Sequence, residues 1–160
     1  MRTGWMLAFW LSLLSLAAAG AAPSGDMPVA QNTGADKFQK VPGLPDCLTV
    51  AVEQGDPGKD ASLLLVKTTA GCKVPWHFHT PNEQLMMVSG IGRVEMKDEQ
   101  GAELRAGGFA FAPAKHVHQF TCVGRPCTFF LRSDAPFDTH YVDKNGSEIS
   151  ADQALGKIKK

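Results

Sequence analysis

The sequence predicts a small all-β protein, an antiparallel β-sandwich that closes into a barrel. Turn-forming residues recur about every eight to twelve residues between Cys47 and Val142, which is typical of sandwiches and barrels. The apolar or alternating segments between these turns are short and flanked by turn residues, so they fit strands better than helices. The chain of 160 residues has no visible internal repeat, and a single folded domain is therefore expected.

The N-terminal segment has the pattern of a secretory signal peptide. Arg2 precedes an apolar run, Trp5–Ala19, so residues 1–21 are predicted to be the signal, with Ala19 or Ala21 as its last residue. A membrane anchor is the alternative interpretation, but the run is shorter than the roughly 20 apolar residues needed to span a bilayer. The mature protein is expected to be secreted or periplasmic, with no membrane segment.

The rest of the chain divides into an arm, a barrel and a tail. Residues 22–45 are rich in turn-forming residues and have no periodicity, so a flexible leader or surface arm is expected. The barrel is predicted over residues 46–142. In chain order, its strands are predicted at Leu48–Val52, Ser62–Thr68, Val74–His79, Glu83–Val88, Arg93–Lys97, Ala102–Leu104, Phe109–Ala112, His116–Cys122, Cys127–Arg132 and Phe137–Val142.

Seven of the nine boundaries between these strands carry a turn signal, because Gly, Pro, Asn and Asp favour the backbone conformations that turns require. The separating segments are QGDPG at 54–58, AG at 70–71, TPN at 80–82, GIG at 90–92, DEQG at 98–101, GG at 107–108 and VGRP at 123–126. Only the tail, residues 143–160, has a helical pattern. Ser150 and Gln153 fit a capping box ahead of the apolar positions 154, 155 and 158, and a frayed polar tail is the alternative.

The chain contains 4 cysteines, and all of them follow the predicted signal peptide. An even number of cysteines in an exported chain favours disulfides. Cys122 and Cys127 flank a plausible hairpin loop, which favours a disulfide between them and leaves Cys47 to pair with Cys72. A zinc site at Cys122 and Cys127 is the rival interpretation, but no second cysteine pair at zinc-ligand spacing accompanies it.

Candidate metal ligands are concentrated in one stretch, Gly71–Gly90. His77 and His79 are two residues apart, so on an extended strand both imidazoles project from the same face. Glu83 opens the next apolar run, and His118 is a fourth candidate in a later strand. Imidazole and carboxylate donors suit divalent Mn, Fe, Ni, Cu or Zn, so these residues predict a transition-metal site without naming the metal.

The spacing of these residues resembles the two signature motifs of the cupin family. The first motif is reproduced without a gap by Gly71, five residues, His77-Phe78-His79, three residues, Glu83, six residues and Gly90. The second is resembled by Gly107, five residues, Pro113 and then His118. Two positions depart from the family pattern, because Lys115 stands where cupins often carry Gly and Cys122 where they often carry Asn.

The resemblance covers roughly Cys47–Val142 and implies the jelly-roll barrel, or double-stranded β-helix, of the cupins. It also implies a homodimer, and Trp76 and Phe78 are expected to pack under the arm or against a second subunit. In cupins such metal sites support oxygenase, decarboxylase or isomerase chemistry on small organic molecules. A metal-dependent enzyme of this type is therefore one expectation, and a non-catalytic protein that binds a metal or small ligand is the alternative.

Strand parity predicts a pocket with a polar metal floor and mostly apolar walls. The side chains expected on the interior face together with Glu83 and His118 are Leu85, Met87, Ser89, Phe120 and Cys122. A hairpin at Cys122–Cys127 would pair Phe120 with Phe129 and His118 with Leu131. His116 shares the parity of His118 and is the candidate acid–base catalyst at the pocket mouth, although a position behind the metal ligands and a position on the surface are alternatives.

Charge does not point to a macromolecular partner. The chain has 16 basic and 16 acidic side chains with no basic stripe, which argues against nucleic-acid binding. An apolar pocket with one polar end suits a small organic molecule as substrate or ligand.

Overall fold

The structure is a computed structural model that describes residues 30–32 and 37–156. The predicted signal peptide lies outside the described residues. Within the described part of the chain, none of the helices has the length and apolar character that crossing a membrane would require.

Two antiparallel β-sheets form nearly all of the fold, so the predicted all-β class is confirmed. The elements are β1 Leu48–Gly55, β2 Ser62–Thr68, β3 Lys73–Phe78, β4 Glu83–Ser89, β5 Gly92–Met96, β6 Ala102–Leu104, β7 Phe109–Ala112, β8 His118–Cys122, β9 Cys127–Ser133, β10 His140–Val142, β11 Glu148–Ile149 and α1 Ala151–Gly156. The five-stranded sheet has the order β1-β2-β9-β4-β7, and the six-stranded sheet has the order β11-β10-β3-β8-β5-β6.

The core lies between the two sheets and is apolar. It includes Val50, Leu64, Val66, Val74, Leu85, Met87, Val94, Phe120 and Phe129. Burying each such large side chain contributes roughly 1.5–3 kcal/mol, so this layer is the main stabilising element of the fold. The rings of Phe120 and Phe129, from opposite sheets, have centroids 4.8 Å apart.

The predicted hairpin between His118–Cys122 and Cys127–Leu131 is wrong. β8 pairs with β3 and β5, whereas β9 pairs with β2 and β4, so the connection between β8 and β9 crosses from one sheet to the other. Phe120 and Phe129 therefore meet across the sandwich and not along a ladder. A short loop can join two strands of one sheet or two strands of facing sheets. Pairing with the other strands determines which of the two forms.

Both predicted disulfides, Cys47–Cys72 and Cys122–Cys127, are present. Cys47 precedes β1 and Cys127 begins β9 in the five-stranded sheet, while Cys72 precedes β3 and Cys122 ends β8 in the six-stranded sheet. The Cys122 N–H donates to the Cys72 carbonyl over 2.8 Å, so the two disulfides are neighbours. They join the two sheets at one end of the sandwich.

Ser89 does not face the interior as predicted. Its partners Leu85 and Met87 on β4 are 4% and 3% exposed, but Ser89 is exposed to solvent. The pairing register of β4 with β9 shifts between Met87 and Ser89. A bulge of this kind inverts the alternation of side chains, which strand parity alone cannot foresee.

Several segment ends differ from the predicted ones for local reasons. β8 begins at His118 because the His116 N–H donates to the Pro113 carbonyl in a turn over 2.9 Å. β10 begins at His140, because residues 134–139 form a loop in which the Phe137 N–H donates to the Pro57 carbonyl over 2.7 Å. The arm contributes one bridge, between Gln39 and Val50.

The predicted C-terminal helix is present with its capping box. The Gln153 N–H donates to Ser150 Oγ over 3.2 Å, and the Ser150 N–H donates to Gln153 Oε1 over 3.0 Å. Ala154 is buried and attaches α1 to the core cluster. The short strand β11, which pairs with β10, was not predicted from the sequence.

Candidate metal centre

The four predicted ligands converge inside the sandwich from both sheets. His77 on β3 lies directly opposite His118 on β8 in the six-stranded sheet. His79 follows β3, and Glu83 begins β4 in the facing five-stranded sheet. Each of the four residues is only 3–6% exposed. The cluster lies at the opposite end of β3 and β8 from the disulfides.

The three imidazoles lie within reach of one common ion, and the Glu83 carboxylate lies beside two of them. The candidate ligand nitrogens of His77, His79 and His118 all lie within 4.8 Å of one another. The Glu83 carboxylate lies 2.7 Å from His79 Nε2 through Oε2 and 3.6 Å from His118 Nε2 through Oε1. One carboxylate thus spans two imidazoles.

A backbone carbonyl holds the Nδ1 atom of each imidazole. His77 Nδ1 lies 2.6 Å from the Pro75 carbonyl, and His118 Nδ1 lies 2.9 Å from the His116 carbonyl. His79 Nδ1 contacts the Asp138 carbonyl. A carbonyl only accepts, so each Nδ1 must carry the proton and donate it. The neutral ring then keeps its lone pair on Nε2, the tautomer that binds a metal through Nε2.

Two of these Nε2 atoms lie beside the Glu83 carboxylate but do not form a hydrogen bond of acceptable geometry with it. His79 Nε2 and His118 Nε2 are buried, and no described residue satisfies them with hydrogen-bond geometry. Leaving a buried polar atom unsatisfied costs about 1–3 kcal/mol, so such atoms are rare without a reason. A divalent cation between the imidazoles and Glu83 would satisfy both nitrogens, and the donor set therefore fits a metal.

The charges inside the cluster are strongly coupled. Burial opposes ionisation of Glu83, but the positive charge of His79 and the proximity of both imidazoles outweigh burial and hold its pKa well below 4.5. Burial also opposes the charge on His79, yet Glu83 raises the pKa of that imidazole above 6.5. For His77, burial and the two neighbouring imidazoles lower the pKa well below 6.5. Without an ion, His79 is therefore the imidazole that gains a second proton, on the Nε2 atom that faces Glu83, while His77 stays neutral.

A cavity of about 60 Å³ adjoins the cluster. Its apolar walls include Leu85, Val94, Met96, Phe120, Phe129, Leu131 and Phe137. Among the described residues that line it, Thr139 is the only polar side chain besides the four clustered residues. This arrangement matches the polar floor and apolar walls expected from strand parity.

His116 contributes to the cluster through its backbone. Its carbonyl accepts the hydrogen bond from His118 Nδ1, and its half-buried side chain is not among the residues that line the cavity. The catalytic role assigned to His116 from the sequence stays a prediction. The adjacent Lys115 has φ +63°, the left-handed conformation for which cupins often use Gly at this position.

Sequence reasoning missed the acidic loop that supports the cluster. Asp138 contacts His79 through its carbonyl and His140 through its carboxylate, with 3.2 Å between Oδ2 and His140 Nε2. His140 also lies 3.2 Å from Glu148 and stacks on Phe78. The only sequence signal was the close spacing of Asp138 and His140, which is too common to interpret alone.

The fold and the buried His and Glu cluster define the class: a small jelly-roll barrel with a candidate metal site inside it. Residues 64–131 match the family model described as a cupin domain. Residues 64–131 therefore form a cupin domain, as the resemblance of the motifs implied. None of the curated protein sequences compared with the chain is significantly similar to it.

Solved structures support the same fold. A cupin protein from Ralstonia eutropha is 18% identical, with 82% of this chain and 87% of that chain covered and a TM-score of 0.60. A polyketide cyclase from Streptomyces resistomycificus is 18% identical, with coverages of 75% and 90% and a TM-score of 0.61. The DMSP lyase DddQ from Ruegeria pomeroyi is 17% identical, with coverages of 74% and 62% and a TM-score of 0.56. At these identities the similarity shows the fold alone.

Proposed function

We propose that this cupin binds a divalent transition metal through Nε2 of His77, His79 and His118 and the carboxylate of Glu83. The observation that carries the proposal is the pair of buried Nε2 atoms without a hydrogen-bond partner, next to a carboxylate they share. The contact of each Nδ1 with a backbone carbonyl favours the ring orientation in which Nε2 faces the cluster. The donors fit Mn²⁺, Fe²⁺, Ni²⁺, Cu²⁺ or Zn²⁺.

Metal analysis of protein purified without chelator tests this proposal. We expect about one ion per chain in the wild type and a loss of that ion in His77→Ala, because a three-donor remnant binds more weakly. His116→Ala is the matched control, since it also removes an imidazole but keeps the carbonyl that holds His118. Metal-free wild-type protein that also takes up none of these ions on titration would refute the proposal.

We further propose that the site acts on a small organic substrate. A bound ion would supply Lewis-acid or redox chemistry of the oxygenase, decarboxylase or isomerase type. The chain itself contributes the apolar walls, which exclude water from the ligand and orient its hydrocarbon part, and the Thr139 hydroxyl, which offers one hydrogen bond. A cavity of about 60 Å³ favours a small ligand.

A non-catalytic metal or small-ligand binding protein is the second candidate. One observation favours it: apart from the four proposed ligands, no lining residue in the described chain is an acid or base. Incubation of the metal-loaded protein with a panel of small carboxylic acids and phenols separates the two candidates. Consumption of a compound supports the enzyme, whereas saturable, reversible binding without consumption supports the binding protein.

We also propose an exported homodimer. Two disulfides fit an oxidising compartment outside the cytoplasm, which agrees with a secreted or periplasmic location. The outer face of β4 and the edge strand β7 exposes Val88, Phe109 and Phe111, with Phe109 54% exposed. Contiguous exposed apolar side chains of this kind favour association with a second copy. Light scattering on wild type and on Phe109→Glu checks the dimer.

A further inference from the structure

The loop at residues 134–139, between β9 and β10, is hydrogen-bonded to the 80–82 turn. That turn connects the proposed ligands His79 and Glu83. Asp138 Oδ1 accepts a hydrogen bond from the Thr80 N–H over 2.7 Å. Asp134 accepts bonds from the backbone N–H and the side-chain amide of Asn82. Both ends of the 134–139 loop thus contact the 80–82 turn.

Asp138 contacts the His79 segment at two points. Its backbone carbonyl accepts from His79 Nδ1, and its carboxylate accepts from the N–H of the next residue, Thr80. His77 and His118 differ, because each uses the carbonyl two residues earlier in its own segment. The orientation of the His79 ring therefore depends on a residue 59 positions away in the chain.

The Asp138 carboxylate is itself fixed in place. Its Oδ2 atom lies 3.2 Å from His140 Nε2, and His140 Nδ1 lies 3.2 Å from Glu148 Oε2. The His140 ring stacks on Phe78, the residue before His79, with centroids 4.8 Å apart and planes 6° from parallel. These contacts connect β10 and β11 to the segment that carries His79.

We propose that Asp138 is the positioning residue of His79. Its carboxylate, bound to the Thr80 N–H, keeps its own carbonyl beneath His79 Nδ1, and this keeps His79 Nε2 directed at Glu83 and the proposed ion position. The inference deepens the proposed metal site and rests on it for its functional meaning. The geometry of the ring, however, is a property of the metal-free chain.

Two readouts test the proposal. The first is the NMR signal of the His79 Nδ1–H proton in metal-free protein, which we expect in wild type and expect to be lost in Asp138→Ala. The second is metal affinity, which we expect Asp138→Ala to weaken roughly tenfold, the lower range for residues that orient ligands. Asp138→Asn should retain both, because its amide oxygen still accepts from the Thr80 N–H.

Asp134→Ala is the matched control. It removes an aspartate from the same loop and frees the same turn at Asn82, but leaves both acceptors that Asp138 offers to His79 and Thr80. If Asp138→Ala does not fold, Asp138→Ser replaces it, since serine is too short to preserve the Thr80 contact yet remains polar.

An unchanged His79 Nδ1–H signal in Asp138→Ala, or an equal loss in Asp134→Ala, would overturn the positioning role. The NMR experiment needs no metal, so its outcome is separate from that of the proposed function. A wild type that binds no metal but shows the predicted NMR difference refutes the metal site and leaves the positioning of His79 intact.

Discussion

Metal binding at the proposed site is expected to release a proton from His79. In the ion-free protein, Glu83 lies 2.7 Å from His79 Nε2 and raises the pKa of that imidazole above 6.5. A metal coordinates the neutral ring, so the proton must leave. Below the folded-state pKa of His79, each pH unit should therefore strengthen metal affinity about tenfold, which corresponds to about 1.4 kcal/mol.

The same groups set the pH dependence of the metal-free fold. The raised pKa of His79 gives a stabilisation that is fully present below pH 6.5 and is lost as the pH rises through the folded-state value. The lowered pKa of Glu83 gives a stabilisation that is present above pH 4.5 and is lost as the pH falls. Without a metal, the His79–Glu83 ion pair therefore stabilises the fold most between pH 4.5 and 6.5.

Calorimetric titration with metal in buffers of different ionisation enthalpy counts the released proton directly. We expect more than half a proton per ion at pH 6.5 for wild type, because the His79 pKa lies above 6.5. Glu83→Gln removes the charge that raises the His79 pKa, so it should release fewer protons at the same pH. A wild type whose affinity is independent of pH and whose binding releases no proton would refute the ion pair between His79 and Glu83.

Three further changes have expected outcomes. His116→Ala should lower turnover at least about tenfold if this side chain transfers a proton, and unchanged steady-state rates on an identified substrate would exclude it. Lys115→Gly should raise the free energy of unfolding by about 1 kcal/mol in chemical denaturation, because glycine relieves the positive φ of +63°; a destabilised variant would contradict this. The double variant Cys47→Ala/Cys72→Ala opens a loop of sequence separation 25 and should lose about 3–4 kcal/mol of stability, a value that a urea titration checks.

Features encoded by local patterns could be predicted from the sequence. Turn residues and alternation located β2, β6 and β7 at their observed bounds, and the Ser150 and Gln153 capping box located the helix. Two-residue periodicity predicted that His77 and His79 share a face, and the resemblance to the cupin motif implied that Glu83 joins them.

Features that depend on distant partners could not be predicted. The sheet that β8 joins is decided by its contacts with β3 and β5, and the short loop to Cys127 carries no information about them. The exposure of Ser89 follows from a register shift against β9. The role of Asp138 follows from a contact across 59 positions. In each case the deciding neighbour lies outside the sequence window that a pattern covers.

Disulfide formation also changes which metal-binding groups the chain offers as it matures. A newly made, reduced chain offers four thiols, and thiolates are soft donors that attract Cu(I) and Zn²⁺ strongly. Oxidation removes every one of these competitors, since no free cysteine remains among the described residues. A metal ion that binds the proposed site after oxidation would meet imidazole and carboxylate donors alone. The order of disulfide formation and metal binding would therefore affect which ion the site acquires.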